Sequence, residues 1–341
     1  MSSIITTIII IAVLILAHEW GHFIVARKIG IPVYEFSLGF GYKILSVKKK
    51  GVEYSLRLFP LGGFVRMAGE QPDDLNNPEG YNNRSPLEKM GVAFAGPFMN
   101  FVAAVLIFIY SYAFIGIPQP MQGVVIGGVI ADQPAAVAGL RENDKILAVN
   151  DRTVETWGEF TAIIKQSANN PLKLKLLRDN KIEYVSVTPA ADETGAKIGA
   201  FSQVEYKKQG ILTSIKLGFV QTYQFSAQLL AGLGLLFTGG ASPADLAGPV
   251  GITKMVGEAA QGGTLYLLAF TAFLSINLGI LNLLPIPALD GSRIIFAALE
   301  GIRRKPLAPE KEGFVHWLGF MFLMLLIIIV TYNDIVRLIK G

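Results

Sequence analysis

The feature that most constrains this chain is a group of polar side chains at the end of an apolar run. Residues 4–17 are almost wholly apolar, and His18, Glu19 and His22 follow them directly. Two histidines four residues apart lie on one face of a helix, so both imidazoles can reach one Zn²⁺ at about 2.0–2.1 Å. In this pattern the glutamate is the general base acting on a metal-bound water. Such residues inside a membrane span usually mark a function; the alternative is a helix end at the membrane surface.

Composition indicates a membrane protein and restricts the ligands of any metal. The 341 residues are 52% hydrophobic and 16% charged, with a mean hydropathy of +0.47, which is typical of several membrane spans. There is no cysteine, so disulfides and thiolate ligands are excluded. The third and last histidine is His316, so a further zinc ligand must be His316, an aspartate or a glutamate. The net charge of +4, without a basic-aromatic tract, argues against nucleic-acid binding.

Four apolar segments are long enough to cross a bilayer core, which takes about 20 helical residues. They cover residues 3–27, 90–117, 265–289 and 313–332. Residues 211–238 are apolar but contain a lysine and three glutamines, and could cross the membrane or lie on it. Basic loops after the first and third spans favour a cytoplasmic location for both loops and an N-terminus outside. The first span lacks a basic n-region and a cleavage site, so we expect it to be retained.

The first basic loop contains a predicted β-hairpin. Alternating apolar and polar residues predict strands over residues 33–40 and 53–66, joined by a turn at residues 48–51. Residues 61–65 are apolar and glycine-rich. They could form a β-loop that dips into the membrane, where protein or a wet cavity must cover the backbone, or an ordinary surface hairpin.

The second span begins with a short motif of Gly96, Pro97 and Asn100. The glycine permits close helix contact. The proline is expected near the helix start, where its missing N–H costs least. Asn100 is a polar residue inside the bilayer and is expected to join helices, with a part in the active site as the alternative.

Residues 122–204 are expected to form a separate soluble unit. Sequence patterns predict strands at residues 124–130, 145–149, 172–177 and 182–187, and a helix at residues 156–167. The segment from Pro134 to Asn150 resembles a PDZ domain. Asn143 and Asp151 stand where that family usually has glycine, so we expect both turns to be built differently. The unit either binds extended peptides by strand addition or only excludes large substrates.

Counting membrane crossings indicates a third metal ligand. The first span brings His18 and His22 near the inner face. If residues 211–238 lie on the surface, the third span runs inward and Asp290 reaches the same depth, whereas a fifth crossing would put it about 30 Å away. The prolines before Asp290 end the helix and Gly291 relaxes the backbone, so the carboxylate can turn towards a neighbouring helix. The histidine of the last span has no partner motif and is a weaker candidate.

Two motifs in this order resemble the site-2 protease family of intramembrane zinc metalloproteases, and more closely its bacterial RseP/RasP branch. The family pairs H-E-x-x-H with a later N-x-x-P-x-P-x-L-D-G, and both are complete here, the second from Asn282 to Gly291. The Gly96-Pro97 pair and residues 248–252 also resemble family segments. Family members often have a second glycine where this chain has Ser292, and many have two tandem PDZ domains where this chain has room for one.

The resemblance implies a role for each residue of the two motifs. It implies that His18, His22 and Asp290 hold one Zn²⁺ per chain and that Glu19 is the catalytic base. It implies that Pro285 and Pro287 shape the site. The residues implied in holding substrate are Asn277, Asn282, Gly62, Gly63 and Phe64.

These observations predict an α-helical polytopic membrane protein with four transmembrane helices, a membrane-associated β-hairpin or sheet, and one inserted PDZ-like α+β domain. The expected domains are residues 1–117, which hold the first two spans and the β region, residues 118–205, which form the PDZ-like domain, and residues 206–341. The last of these comprises a surface helix and the third and fourth spans.

The predicted function is zinc-dependent hydrolysis of peptide bonds in or near the transmembrane segment of single-span membrane proteins. By resemblance, the substrates are anti-sigma factors or remnant signal peptides in a bacterial cytoplasmic membrane. Both termini and the PDZ-like domain are expected outside the cytoplasm, and the site near its cytoplasmic face. The partners are the substrate, the lipid bilayer and, as one alternative, a peptide bound by the PDZ-like domain. The alternative functions are a non-hydrolytic scaffold and a metal transporter, although the spans lack a ladder of charged residues.

Overall fold

The computed structural model describes residues 2–70, 74–192, 195–240, 247–305 and 308–340. The chain divides into two compact units. Residues Met1–Ala113 and Gly210–Gly341 form one unit, which we call the membrane unit. Residues Phe114–Gln209 form the other, which we call the inserted domain.

The described part of the chain contains nine α-helices and twelve strands. The helices are α1 (Ser2–Lys28), α2 (Pro86–Tyr110), α3 (Pro134–Val137), α4 (Trp157–Lys165), α5 (Ile211–Thr238), α6 (Pro249–Gln261), α7 (Thr264–Leu283), α8 (Asp290–Arg303) and α9 (Pro309–Lys340). The strands are β1 (Val33–Lys49), β2 (Val52–Met67), β3 (Ile117–Pro120), β4 (Val124–Val129), β5 (Lys145–Val149), β6 (Arg152–Thr153), β7 (Leu172–Arg178), β8 (Lys181–Val187), β9 (Ala190–Asp192), β10 (Gly195–Lys197), β11 (Ala200–Ser202) and β12 (Val204–Lys207).

Among the described residues, four helices are long and apolar enough to cross a membrane. These candidate spans are Ser3–Lys28, Pro86–Ile115, Thr264–Leu283 and Glu310–Ile339, and they match the four predicted segments. The helix α5 has 28 residues but is not among them. It packs on α2 and α7 through the ring of Phe225, which contacts Phe108 and Phe273. The predicted fold class is therefore confirmed.

Two local expectations about these helices are wrong. The helix α2 begins at Pro86, where the side chains of Ser85 and Glu88 form a capping box, so Pro97 lies well inside the helix. Pro97 has no N–H to donate to the carbonyl of Ala93, four residues earlier. The segment after Asp290, which we expected to be only a basic loop, begins with the 14-residue helix α8.

The strands β1 and β2 form a sheet that folds back on itself. The first half of β1 has a neighbour on both sides, since Phe36 lies opposite both Val65 and Tyr54. The second half of β1 pairs again with the first half of β2. Gly39 and Gly41 adopt positive φ angles of 91° and 85° where β1 changes partner. The end of β2, residues 63–67, pairs on one side only within this sheet and forms an edge.

The inserted domain is an α+β unit built on an antiparallel sheet. The strand order is β11-β4-β5-β7-β8, with β6 paired to β5. Its apolar core includes Phe160 of α4. Asn143 and Asp151 adopt φ angles of 71° and 65°, so each keeps the left-handed backbone that glycine favours, and a differently built turn is not needed. Asparagine and aspartate reach this region more readily than other residues that carry a Cβ.

Candidate metal centre

Three side chains from two distant parts of the sequence meet in the membrane unit. His18 and His22 lie one turn apart on α1, and their Nε2 atoms are 3.2 Å apart. The Asp290 Oδ2 atom lies 3.1 Å from the Nε2 of His18 and 3.4 Å from that of His22. Both histidines are buried, and the Asp290 side chain is 15% exposed. Among the described residues, these three form the group that could hold a metal ion.

The spacing of the three donor atoms fits a tetrahedral zinc ion. Ligands held at about 2.0–2.1 Å in tetrahedral geometry lie about 3.3 Å from one another. The three distances between the two Nε2 atoms and the Asp290 Oδ2 atom are 3.1, 3.2 and 3.4 Å. Two imidazoles and one carboxylate are also the ligands of many catalytic zinc sites, which keep a fourth position open.

Glycines allow α1 and α2 to cross closely at this group. A Cβ on Gly21 would overlap the Ala95 carbonyl and lie 3.0 Å from the Gly96 nitrogen. A Cβ on Gly96 would overlap the His22 ring. The expected close contact at Gly96 is thus present, and the space that the missing Cβ leaves is occupied by a ring of the metal centre.

The second helix also contacts the outer nitrogen of each histidine. The Nδ1 of His22 lies 2.8 Å from the Val92 carbonyl oxygen. The Nδ1 of His18 lies 3.3 Å from the Asn100 Nδ2 atom. The sequence favours a role for Asn100 in contacts between helices. The signal in the sequence for its contact with His18 is its spacing, because Asn100 lies four residues after Gly96 and therefore on the same face of α2.

Asp290 is the first residue of α8, and the loop before it is strained. Ala288 has a φ of 76°, an uncommon conformation for a residue with a Cβ. Its N–H donates to the Nδ1 of His316 at 2.9 Å, so His316 lies outside the metal-ligand group and contacts this loop instead. Gly291 does not have a positive φ; a Cβ there would overlap the Leu284 carbonyl at the end of α7. Its role is close packing rather than relaxed backbone.

A cavity of about 540 Å³ opens beside the three candidate ligands. Glu19 lines it, next to the ligand His18 in the sequence. Asn282 of α7 lines it as well. The predicted substrate residue Asn277 is not among its lining residues. The predicted site-shaping residues Pro285 and Pro287 do not line it either, although both lie in the loop that leads to Asp290.

The edge strand of the β-sheet forms another wall of this cavity. Gly62, Gly63 and Phe64 all line it. A Cβ on Gly63 would lie 3.0 Å from the Glu19 Cγ atom, and one on Gly62 would overlap the Phe40 ring. Gly63 therefore lets the strand approach α1 closely, and Gly62 leaves room for the Phe40 ring of β1.

Charged side chains hold the sheet and the site in place. The carboxylate of Glu35 accepts hydrogen bonds from Ser55 at 2.6 Å and from Arg57 at 2.7 Å. Burial acts to raise the pKa of Glu35, but these hydrogen bonds and the Arg57 charge outweigh it, so the pKa lies below its usual value. The Arg57 guanidinium also lies 5.1 Å from the centre of the Phe64 ring, a cation–π contact.

A second ion pair joins the edge strand to α8. Arg293 lies one turn after Asp290 on α8. Its Nη1 atom donates a hydrogen bond to the Glu70 Oε1 atom at 2.9 Å. The other oxygen of Glu70 accepts the Met67 N–H at 3.1 Å, at the end of β2. This pair was not predicted from the sequence, because nothing local links Glu70 to Arg293.

Comparison with known proteins identifies the class. The sequence profile described as peptidase family M50 matches residues 6–326. Curated relatives named as zinc metalloproteases align with nearly the whole chain at more than 30% identity. The chain therefore belongs to peptidase family M50, which contains the site-2 proteases, and it is a zinc metalloprotease.

Three of these relatives illustrate the extent of the similarity. Zinc metalloprotease RasP of Geobacillus kaustophilus is 36% identical over 416 residues, covering 98% of each chain. Regulator of sigma-W protease RasP of Bacillus subtilis is 34% identical over 421 residues, covering 99% of each. A putative zinc metalloprotease of Clostridium perfringens is 37% identical over 334 residues, covering 98% of each. The two RasP alignments are longer than the 341 residues of this chain, so those relatives contain residues that it lacks.

Solved PDZ domains match part of the chain. The PDZ domain of an SdrC-like protein from Listeria innocua is 27% identical and covers 26% of this chain and 99% of that domain, with a TM-score of 0.22. The corresponding domain from Listeria monocytogenes is 22% identical and covers 25% of this chain, also with a TM-score of 0.22.

Proposed function

We propose that this zinc metalloprotease cleaves single-span membrane proteins within or near their transmembrane segment. In this proposal His18, His22 and Asp290 bind one Zn²⁺, and Glu19 is the catalytic base. The observation that carries the proposal is the triangle of two Nε2 atoms and one Oδ2 atom with sides of 3.1 to 3.4 Å. Bound zinc supplies Lewis-acid polarisation and lowers the pKa of water towards about 7.

Glu19 performs the proton transfers of the proposed reaction. Its carboxylate takes a proton from the attacking water and later delivers it to the nitrogen of the leaving amine, so that one group serves both steps. Its place on the cavity wall, next to the ligand His18 in the sequence, supports this role. Asn282 lines the same cavity and would donate a hydrogen bond to the carbonyl of the bond to be cut.

The edge strand formed by residues 63–67 is the proposed binding surface for the substrate. A helical substrate hides its peptide bonds in internal hydrogen bonds, so it must unwind before cleavage. An unwound segment could then pair with the edge by strand addition, beside Gly62, Gly63 and Phe64. Glu70 forms an ion pair with Arg293, which lies three positions after Asp290. This pair and the hydrogen bond of Glu70 to the Met67 N–H support a fixed distance between the edge strand and Asp290, the proposed metal ligand. Asn277 retains only its implied role, because it does not line the cavity.

The distribution of basic residues supports an orientation in the bacterial cytoplasmic membrane. The loops after the first and third candidate spans carry many lysines and arginines, which favours the cytoplasm for both. The metal centre would then lie near the cytoplasmic face, with both termini and the inserted domain outside. An inserted domain in that place would exclude substrates that have bulky outer domains. The name of the Bacillus subtilis relative, regulator of sigma-W protease RasP, supports anti-sigma-factor-like substrates.

The test compares Glu19→Gln with wild type in a purified preparation containing a single-span substrate. Without a base, cleavage is expected to fall by about 10² to 10⁴-fold, because general acid–base catalysis contributes that much. Zinc content is expected to stay at one per chain in Glu19→Gln and to fall in Asp290→Ala. Equal cleavage by Glu19→Gln and wild type would reject the base, and undiminished zinc in Asp290→Ala would reject the ligand set. Stoichiometric zinc in a wild type without peptidase activity would favour the scaffold alternative.

A further inference from the structure

One face of α2 lies against the two histidines, and its residues recur every four positions. These residues are Val92, Gly96 and Asn100. Gly96, the central residue, leaves the space that the two rings occupy, because a Cβ on it would overlap His22 and lie 2.9 Å from the Cε1 of His18. The residues one turn before and after it each contact the outer nitrogen of one ring.

The partner of His22 fixes that ring in one form. Its Nδ1 lies 2.8 Å from the carbonyl oxygen of Val92, and a carbonyl oxygen can only accept a hydrogen bond. The proton of the neutral ring is therefore on Nδ1, and the lone pair of Nε2 is free. This is the tautomer that a zinc ligand needs.

The partner of His18 is different, because an amide can either donate or accept. Asn100 is fully buried, and its Nδ2 lies 3.3 Å from the His18 Nδ1. Its Oδ1 is buried and has no hydrogen-bond partner among the described residues. Turning the amide by 180° about its Cβ–Cγ bond exchanges the two atoms and brings Oδ1, which can only accept, to the outer nitrogen of His18.

We propose that Asn100 is the positioning residue of His18 and that its Oδ1 accepts a hydrogen bond from the His18 Nδ1 in the zinc-binding centre. A histidine that gives its Nε2 lone pair to a metal carries its proton on Nδ1 and needs an acceptor there. The Asn100 Oδ1 supplies that acceptor, and the same hydrogen bond gives this buried oxygen a partner. This inference rests on the proposed function, in which His18 is a zinc ligand.

The backbone at Asn100 is held by a contact that does not involve the amide. The Ser275 hydroxyl of α7 donates to the Asn100 carbonyl oxygen at 2.8 Å, and both residues are fully buried. This bond holds the main chain of α2 and does not involve the amide. Ser275→Ala therefore separates a packing effect at this position from the action of the amide.

The first experiment measures zinc affinity of the full-length protein in detergent against a competing chelator. Asn100→Leu, which is similar in size but cannot accept a hydrogen bond, is expected to weaken zinc binding about 10–100-fold, the usual effect of losing such a partner. Asn100→Asp keeps an acceptor and is expected to bind zinc more tightly than Asn100→Leu. Ser275→Ala is expected to stay within about threefold of wild type. Wild-type affinity in Asn100→Leu, or an equal loss in Ser275→Ala, would overturn the proposal.

The second experiment observes the proposed hydrogen bond itself. Nitrogen-15 NMR of the histidines reports the state of each ring nitrogen, and the sequence has three histidines. In zinc-loaded wild type we expect a proton on the Nδ1 of both His18 and His22. Asn100→Leu at saturating zinc should shift the Nδ1 resonance of His18 and leave that of His22 in place. An unchanged His18 Nδ1 resonance in Asn100→Leu would overturn the proposal.

The outcomes separate this inference from the proposed function. Zinc loss in Asp290→Ala together with unchanged affinity in Asn100→Leu would reject the role of Asn100 and retain the ligand set. Undiminished zinc in Asp290→Ala would reject the ligand set itself.

Discussion

The two sides of the metal centre are held in place by different means. On one side, His18 and His22 share one helix, and α2 contacts both rings at a glycine crossing. On the other side, Asp290 starts a helix after a loop in which Ala288 is in the left-handed region and is held by His316. The first side depends on close packing of rigid helices. The second combines close packing of Gly291 with a few hydrogen bonds that hold a strained turn, and it positions one proposed ligand rather than two, so its substitutions should have smaller effects.

The largest effect is expected on the tightly packed side, from Gly96→Ala. The added Cβ would overlap the His22 ring, so either the ring or α2 must move. Displacement of a site by about 1 Å can cost 10²-fold, and we expect a loss of about that size in both zinc affinity and cleavage. Zinc analysis and a cleavage assay measure it. Gly91→Ala on the same helix is the control, because its Cβ would meet nothing within 4 Å. Normal zinc content in Gly96→Ala would show that this packing is not tight.

A smaller effect is expected on the loop side, from Gly291→Ala. The new Cβ would overlap the Leu284 carbonyl and push the start of α8 away from α7. Asp290 would shift while both histidines remain, so we expect zinc affinity to fall about tenfold, less than in Gly96→Ala. Chelator competition measures the affinity. Gly313→Ala, where a Cβ meets nothing within 4 Å, is the control. A larger loss than in Gly96→Ala would reverse the comparison between the two sides.

His316→Ala should have a moderate effect, because it removes the acceptor of the Ala288 N–H. A typical hydrogen bond contributes about 1 kcal/mol net, which corresponds to about fivefold in affinity if the loop loosens only in the metal-bound form. Zinc titration and thermal unfolding of the same samples separate local loosening from general destabilisation. His316→Gln, which can still accept a hydrogen bond, should recover part of the affinity. Complete loss of zinc in His316→Ala would instead indicate a direct ligand.

The smallest effect is expected from Ala288→Gly. Glycine removes a strain of about 1–2 kcal/mol at a φ of 76°, and its greater freedom in the unfolded chain offsets about 0.5–1 kcal/mol of that gain. The free energy of unfolding should therefore rise by no more than about 1.5 kcal/mol, with zinc affinity unchanged. Ala288→Val places a β-branched residue at the same φ and should lower the free energy of unfolding. Denaturant unfolding in detergent measures both changes, and equal stability of the two variants would contradict strain at this residue.

The sequence predicts the tightly packed side better, because its information is local. The spacing of His18 and His22 sets their common helical face, and the order of motifs indicates Asp290 as a candidate metal ligand. The spacing of Asn100 from Gly96 places both on one face of α2, but the contact of Asn100 with His18 also depends on how α1 and α2 are aligned, which the sequence does not specify. The left-handed Ala288 gives no sequence signal either, since alanine is not a residue that usually adopts that conformation.

The main errors concern the ends of helices. The capping box at Ser85 starts α2 earlier than the apolar run suggests, which puts Pro97 inside the helix. The helix α8 was missed because its arginines were counted as evidence of a loop, although arginine favours helices. The first half of β1 pairs with both halves of β2. The sequence did not predict this arrangement, because strand patterns do not specify which neighbours a strand will have.

The unpaired edge of the β-sheet also bears on which membrane proteins would be left uncut. An exposed row of N–H and C=O groups readily joins any extended chain, so soluble proteins usually cover or charge it. Here the row at residues 63–67 faces a cavity beside buried histidines. An intact transmembrane helix satisfies all its own backbone groups and offers nothing to such a row. A single-span protein would therefore be protected by the stability of its helix, and helices that contain residues such as glycine or proline would be the most vulnerable.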